Sequence, residues 1–141
     1  MKFRLVRPFR LVALVGLMAF LIGCGDSPTA RTATVTSPAT ENYSTLVVPK
    51  GTSSYLFKTH GRGTASATLA TTVPGSASLG FGIGIPKANG TGCNLNSSVV
   101  TGAGDTPQLN VTVDVGDYCV QVFDPGTLAD SVSFRVSITH P

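Results

Sequence analysis

Apolar and polar residues alternate along most of the chain that follows residue 40. The clearest alternating runs span residues 54–59, 64–69, 79–85, 109–115 and 131–138. A period of two over four to eight residues is typical of strands that have one face in a core and the other in water. Glycine and proline separate the runs, and this part of the sequence shows no comparable 3.6-residue period. The pattern therefore predicts an all-β domain.

The spacing of the runs indicates how the strands are arranged. Seven or eight strands in about 100 residues predict an antiparallel β-sandwich, which we place at residues 41–141. The segment Val115-Gly116-Asp117-Tyr118 fits a two-residue hairpin loop of type II′, in which glycine stands first. We therefore expect strands near residues 108–115 and 118–123 to pair with each other.

Glycine occupies every outward position in the run of residues 79–85. Gly80, Gly82 and Gly84 alternate there with large apolar residues. Glycine inside a strand marks a bend or the close approach of other atoms. We expect the protein's own chain to cover this face, and a ligand is the alternative. A phosphate-binding loop does not fit, because such a loop precedes a helix.

The first 23 residues have the layout of a secretory signal peptide. Four basic residues among the first ten precede an uncharged run from Leu11 to Ile22. This run is too short for a membrane-spanning helix, which needs about 20 apolar residues. Removing residues 1–23 leaves six Lys and Arg against seven Asp and Glu. A nearly neutral chain without a basic cluster argues against nucleic acid as a partner.

The end of this signal, Leu21-Ile22-Gly23-Cys24, resembles the lipobox of bacterial lipoproteins. The resemblance implies cleavage after Gly23 and lipidation of Cys24, whose acyl chains (palmitate among them) would anchor the protein. The alternatives are an ordinary signal peptide with an incidental cysteine, or an uncleaved anchor. Gly25 stands where an aspartate would favour retention in the inner membrane of enterobacteria. We therefore expect attachment to the cell membrane or the outer membrane, facing the periplasm or the exterior.

Residues 24–40 form the lipidated cysteine and a predicted tether. This segment is rich in Thr, Ser and Pro, and Val35 is its only large aliphatic residue. Such a composition buries too little apolar surface to offset the entropy of ordering the chain. As a flexible coil it would span about 20 Å between lipid and domain.

Two cysteines, Cys93 and Cys119, remain besides the lipidated one. An even pair in an exported domain predicts a disulfide, because that compartment permits oxidation. Two free thiols or part of a metal site are the alternatives, but no Cys-x-x-Cys pair or clustered histidine accompanies them. We expect the bridge to be structural.

Several acidic residues lie beside predicted turns in the last third of the chain. Calcium prefers carboxylate and loop carbonyl oxygens, so Asp114, Asp117 and Asp124 are the first candidates for a calcium site. Aspartate is also a common turn former, and the spacing matches neither an EF-hand loop nor a Gly-Gly-x-Gly-x-Asp repeat. Apart from calcium, we expect no cofactor.

The closing half of the domain resembles the bacterial pre-peptidase C-terminal domain. Gly116, Tyr118, Val120 and Val122 match its Gly-x-Tyr turn and the following strand, and Tyr55-Leu56-Phe57 stands where that family has an aromatic strand. The similarity covers approximately residues 50–140. It implies a jelly-roll-like β-sandwich that accompanies secreted proteases and in some cases binds calcium, collagen or polysaccharide. The cysteine pair departs from the family pattern.

The sequence contains no arrangement of residues that is typical of an enzyme. His60 and His140 are the only histidines, and we interpret both as loop residues without a role. No Gly-x-Ser-x-Gly nucleophile motif is present. We therefore expect a non-enzymatic binding or accessory module, with an envelope protein or a polysaccharide as partner. The alternatives are a structural envelope component without a soluble ligand and a small metal-dependent hydrolase.

Overall fold

Eight strands make up the part of the chain that the structure describes, which is residues 37–141 of a computed structural model. In chain order they are β1 (Ala39–Val47), β2 (Thr52–Thr59), β3 (Gly63–Val73), β4 (Leu79–Pro86), β5 (Cys93–Thr101), β6 (Leu109–Val113), β7 (Gly116–Phe123) and β8 (Val132–His140). The predicted signal peptide, the lipidation of Cys24 and residues 24–36 of the predicted tether lie outside the described residues. β1 begins two residues before the predicted domain boundary, because Ala39 already pairs with His140.

The strands form two four-stranded antiparallel sheets. Sheet A has the order β1-β8-β3-β6, and sheet B has the order β2-β7-β4-β5. All connections except β4–β5 cross from one sheet to the other, which gives the eight-stranded jelly roll of two facing sheets. The predicted all-β, jelly-roll-like sandwich is confirmed. Within residues 37–141 the structure contains no helix long and apolar enough to cross a membrane.

The core lies between the inward faces of the two sheets. The predicted alternation is confirmed in β3, where Ala65, Ala67 and Leu69 are fully buried, and in β8, where every second residue from Val132 is buried. In β4 the alternation holds only up to Ile83. Ile85 lies at the end of the strand, beyond the core, and its side chain is 52% exposed.

The predicted hairpin between residues 108–115 and 118–123 is wrong. β6 pairs with β3 in sheet A, whereas β7 pairs with β2 and β4 in sheet B. Gly116 does not have the positive φ that a type II′ loop requires. The link instead crosses between the sheets, and the Thr59 hydroxyl donates to the carbonyl oxygens of Asp114 and Gly116.

The antiparallel arrangement places the loops at two opposite ends of the sandwich. The N-terminal end, where the described chain starts at Ser37, carries loops 60–62, 87–92 and 114–115. The distal end carries loops 48–51, 74–78, 102–108 and 124–131. The charged residues and the candidate site are distributed between these two ends.

Candidate functional site

The three candidate calcium ligands occupy opposite ends of the sandwich. Asp114 and Asp117 lie at the N-terminal end, whereas Asp124 follows β7 at the distal end. The chain from Asp117 to Asp124 is extended, so these two carboxylates are separated by about 23 Å at 3.3 Å per residue. One ion cannot reach both. Among residues 37–141 no group of three His, Cys, Asp or Glu side chains is placed to hold a metal, so the structure does not support this calcium site.

Asp114 and Asp117 instead face cations on neighbouring strands and loops. Arg62 Nε lies 3.5 Å from Asp114 Oδ1, and Lys58 Nζ lies 3.7 Å from Asp117 Oδ1. All four side chains are more than 60% exposed. Ion pairs in such contact with water contribute at most about 1 kcal/mol, so they are surface features rather than a site.

Asp124 organises the loop between β7 and β8. Its Oδ1 accepts hydrogen bonds from the backbone N–H groups of Gly126, Thr127 and Leu128, at 2.8 to 3.2 Å. Its Oδ2 accepts one of 2.7 Å from the backbone N–H of Lys50, in the loop between β1 and β2. The bond from Lys50, followed by those within the loop, lowers the pKa of Asp124. One carboxylate therefore shapes this loop and ties it to its neighbour.

The loop that Asp124 shapes forms one wall of a shallow groove at the distal end. We call it the distal groove; its walls are residues 127–132 and, opposite them, Pro74 and Ala77 of the β3–β4 loop. Its volume is about 220 Å³. Leu128 packs against the core, while Ala129 and Asp130 are exposed. The groove is therefore mostly apolar with one carboxylate at its edge.

Two exposed aliphatic side chains lie near the distal groove on the outer face of sheet A. Leu46 and Val73 lie on either side of Ser133 across the outer face of sheet A. Leu46 is 50% exposed and Val73 is 67% exposed. The remaining outward residues of β1 and β8 are almost all hydroxyl or amide residues: Thr40, Asn42, Ser44, Ser133, Arg135, Ser137 and Thr139. The apolar residues of this face are thus confined to the side next to the distal groove.

A second cluster, which the sequence did not reveal, joins the two sheets at their β1–β2 edge. Glu41 Oε2 accepts a 2.6 Å hydrogen bond from the Tyr55 hydroxyl, and Glu41 Oε1 lies 3.0 Å from His140 Nε2. Tyr43 and Ser53 share a 2.6 Å hydrogen bond beside them. We call these five residues the polar seam, because three strands contribute to it.

The neighbours of the polar seam bury His140 and shift the pKa values of Glu41 and Tyr55. His140 is 3% exposed and its ring centre lies 5.0 Å from that of Phe57. The hydrogen bond from Tyr55, and then that from His140, lowers the pKa of Glu41. The hydrogen bond between Tyr55 and Glu41 in turn raises the pKa of Tyr55. The carboxylate is therefore held in its charged form by groups from β2 and β8.

The interpretation of His140 as a loop residue without a role is wrong. His140 is the last residue of β8 and takes the fifth buried position of its alternation. The predicted alternating run ended at residue 138. Extended by two residues, it would have placed the His140 side chain on the inward face. Glu41 likewise lies on the same face of β1 as Tyr43. His60 lies in the loop between β2 and β3.

The disulfide between Cys93 and Cys119 is present and joins β5 to β7 across β4. Strands two apart in a flat sheet lie about 9.5 Å from each other, but these Cα atoms are 6.1 Å apart. The start of β5 therefore bends over the outer side of β4. The side-chain oxygen of Gln121 in β7 accepts a 2.8 Å hydrogen bond from the Cys93 N–H and holds the same bend.

This bend accounts for the three glycines of β4. A Cβ atom at Gly84 would overlap the Asn94 carbonyl, and one at Gly80 would overlap the Phe123 ring. At Gly82 the obstruction comes from Ser97 and Ser98. The prediction that the protein's own chain covers this face is confirmed.

A shallow groove of about 260 Å³ lies along the β2 edge, between Leu56, Lys58, Pro86 and Asp117 and next to Glu41. The Lys58–Asp117 ion pair crosses its polar part. The two grooves thus differ in character, because only the distal groove combines an apolar wall with a carboxylate that lacks an ion-pair partner among the described residues.

Comparison with known proteins adds no family to this description, since the chain matches no protein-family model and no curated protein.

Proposed function

We propose that this protein is a non-enzymatic lipoprotein of the cell envelope, whose β-sandwich binds a partner outside the membrane. Cys24 carries the lipid, residues 25–38 lead to the domain, and the sandwich is the binding part. The proposal rests on the agreement of the basic N-terminus, the apolar run and the Leu-Ile-Gly-Cys motif in the sequence. The jelly-roll strand order is also what the resemblance to the pre-peptidase C-terminal domain implies.

One structural relationship supports this function more than any other. The described chain begins at Ser37, at the end opposite the distal groove. A lipid thirteen residues before Ser37 would therefore be attached to the N-terminal end. Loops 48–51, 74–78, 102–108 and 124–131 lie at the end farther from that point of attachment. Loops held away from an anchor by a rigid scaffold are a common place for binding.

The anchor is tested by producing the full chain and its Cys24→Ser variant in a bacterium supplied with labelled palmitate. We expect label on the wild type, and we expect it in the detergent phase of a detergent–water partition. The Cys24→Ser variant should carry no label and remain in the aqueous phase. A variant with Cys93→Ala and Cys119→Ala is the matched control, because it removes the other two thiols and should keep the label. An unlabelled wild type would overturn the proposal.

Binding is tested separately from anchoring. The unfolding midpoint of the full chain is measured with neutral envelope polysaccharides and with calcium. A ligand at a hundred times its dissociation constant stabilises a protein by about 2.7 kcal/mol, which raises the midpoint of a domain of this size by more than about 5 °C. A rise with a polysaccharide would assign the module to glycan binding. If no glycan raises the midpoint, a protein partner is the remaining form of the proposal.

A further inference from the structure

We propose that the distal groove, together with Leu46 and Val73, is a docking site for a segment of another envelope protein that carries a Lys or Arg next to an aliphatic residue. This inference rests on the proposed anchoring, because the anchor attaches at the opposite end and leaves the distal end free for a partner. It goes further by naming the surface and the chemistry of the partner. Three observations on residues 37–141 support it.

The first observation is the distribution of exposed apolar surface. Val73 is 67% exposed and directly precedes Pro74, which lines the groove. Leu46 is half exposed beside Ser133, which follows the groove residue Val132. Elsewhere the outer faces of β1 and β8 carry hydroxyl and amide groups with one arginine. These two side chains and the apolar wall of the groove together are the surface that the proposal assigns to a protein contact.

The second observation is the charge at this end. Asp105, Asp124 and Asp130 lie in distal loops, with Lys50 as the one basic residue of those loops. Arg135 lies on the outer face of β8, two residues from Ser133, so the distal end with this face carries three acidic residues against two basic ones. The N-terminal end carries three acidic and three basic residues: Glu41, Asp114 and Asp117 with Lys58, Arg62 and Lys87. A distal end with excess negative charge favours a basic partner and disfavours anionic lipid or nucleic acid.

The third observation concerns Asp130, the carboxylate in the wall of the distal groove. It is exposed and forms no ion pair with any described residue. Asp124, by contrast, is engaged with four backbone N–H groups and is occupied in shaping the loop. Asp130 is therefore the group that a partner's ammonium or guanidinium would meet, while the aliphatic neighbour of that cation enters the apolar part of the groove.

The test uses the full lipidated chain in the envelope of the bacterium that produces it. A photoreactive amino acid replaces Ala129 in the distal groove, and in a parallel chain it replaces Thr112, which is exposed in β6 near the N-terminal end. After irradiation, mass spectrometry identifies the cross-linked peptide. We expect an adduct from position 129 whose captured protein segment contains Lys or Arg beside an aliphatic residue. Position 112 should not capture that segment.

Two matched pairs of variants test the chemistry in the chain labelled at position 129. Asp130→Lys should reduce the adduct by about tenfold or more, because it places like charges together. Asp117→Lys makes the same charge change at the N-terminal end and should leave the yield within about twofold. Val73→Ser should lower the yield, whereas Val115→Ser should not; the two valines are equally exposed, at 67%, but lie at opposite ends.

The outcomes separate this inference from the proposed anchoring. An adduct to lipid, to polysaccharide, to a second copy of this chain or to a segment without a basic residue would overturn the docking site, even if Cys24 is lipidated. Equal loss of yield in Asp130→Lys and Asp117→Lys would overturn the role of Asp130. The absence of any adduct from position 129 would overturn the inference as a whole.

Discussion

Glu41 and His140 are 99 positions apart in the sequence, yet Glu41 Oε1 lies 3.0 Å from His140 Nε2. The first of these residues is near the start of β1 and the second ends β8, and the two strands pair in register from Ala39 to Val47. Tyr55 of β2 binds the other oxygen of Glu41, so one carboxylate connects both sheets. The edge strand that leads from the predicted tether is thereby fastened to the domain.

We predict that Glu41→Gln lowers the free energy of unfolding by about 1 to 2 kcal/mol, because it weakens two hydrogen bonds to a charged acceptor. For a domain of about 100 residues this corresponds to a fall of roughly 5 to 10 °C in the unfolding midpoint. Urea denaturation measures the change. Asp117→Asn is the control; its ion pair with Lys58 is exposed, so the change should stay within about 0.5 kcal/mol. Equal effects of the two substitutions would contradict the role given to the polar seam.

The same carboxylate predicts how stability depends on pH. Hydrogen bonds lower the pKa of Glu41 below that of the unfolded chain, with Tyr55 the largest cause. A carboxyl group with a lowered folded-state pKa binds fewer protons in the folded state, so its stabilisation is complete above the unfolded pKa of about 4.3. The stabilisation is then lost as the pH falls through the folded value. Asp124, whose pKa is lowered chiefly by the Lys50 N–H, behaves in the same way.

Denaturation of the wild type and of Glu41→Gln between pH 7 and pH 2 tests this expectation. The difference in stability between the two proteins should be largest near neutrality and should shrink below about pH 4. A difference that stays constant down to pH 2 would mean that Glu41 contributes through packing and not through its charge.

Replacing Gly84 by alanine should destabilise the domain by about 1 to 3 kcal/mol, because the added carbon overlaps backbone atoms that cannot rotate away. Those atoms are the Asn94 carbonyl and the Leu95 Cα. Gly75→Ala is the matched control. Gly75 has no neighbour closer than 4.0 Å to an added Cβ, and its φ is not positive. There alanine should be neutral or stabilising by about 0.4 to 1 kcal/mol. Thermal unfolding of both variants distinguishes the two cases.

Loss of the disulfide should cost about 3.5 kcal/mol, the chain-entropy value for a bridge between residues 26 positions apart. The variant Cys93→Ala with Cys119→Ala measures this cost in urea. Either single replacement should cost about as much as the double one, because each removes the same bridge. If the single costs instead add up in the double variant, the two side chains contribute by packing, and the bridge itself contributes little.

The runs of alternating residues were sufficient to predict which side chains face the core in β3 and β8. They did not predict strand pairing. The link at residues 113–116 looked like a hairpin because its length and its glycine suit one. In the folded protein β6 belongs to sheet A and β7 to sheet B, because β3 pairs with β6 while β2 and β4 flank β7. The local sequence of this link does not indicate which distant strands β6 and β7 pair with.

The candidate site was likewise not predictable from local sequence, because distant segments form it. Asp114, Asp117 and Asp124 are close in sequence and suggested one site, but an extended strand separates Asp124 from the others. Asp124 instead shapes the loop that lines the distal groove, with help from Lys50 seventy-four positions away. The groove itself combines residues of the β3–β4 and β7–β8 loops. It could not be recognised before those loops were brought together.

By itself, the sequence determined the all-β class, the cysteine pair and the inward face of most strands. Each of these follows from a local rule: side chains of a strand alternate between two faces, and an even pair of cysteines in an exported domain forms a bridge. Only the tertiary structure decided the sheet order, the polar seam around Glu41 and the distal groove. These features depend on contacts between residues far apart in the chain, and the free energy of packing two whole sheets together selects them.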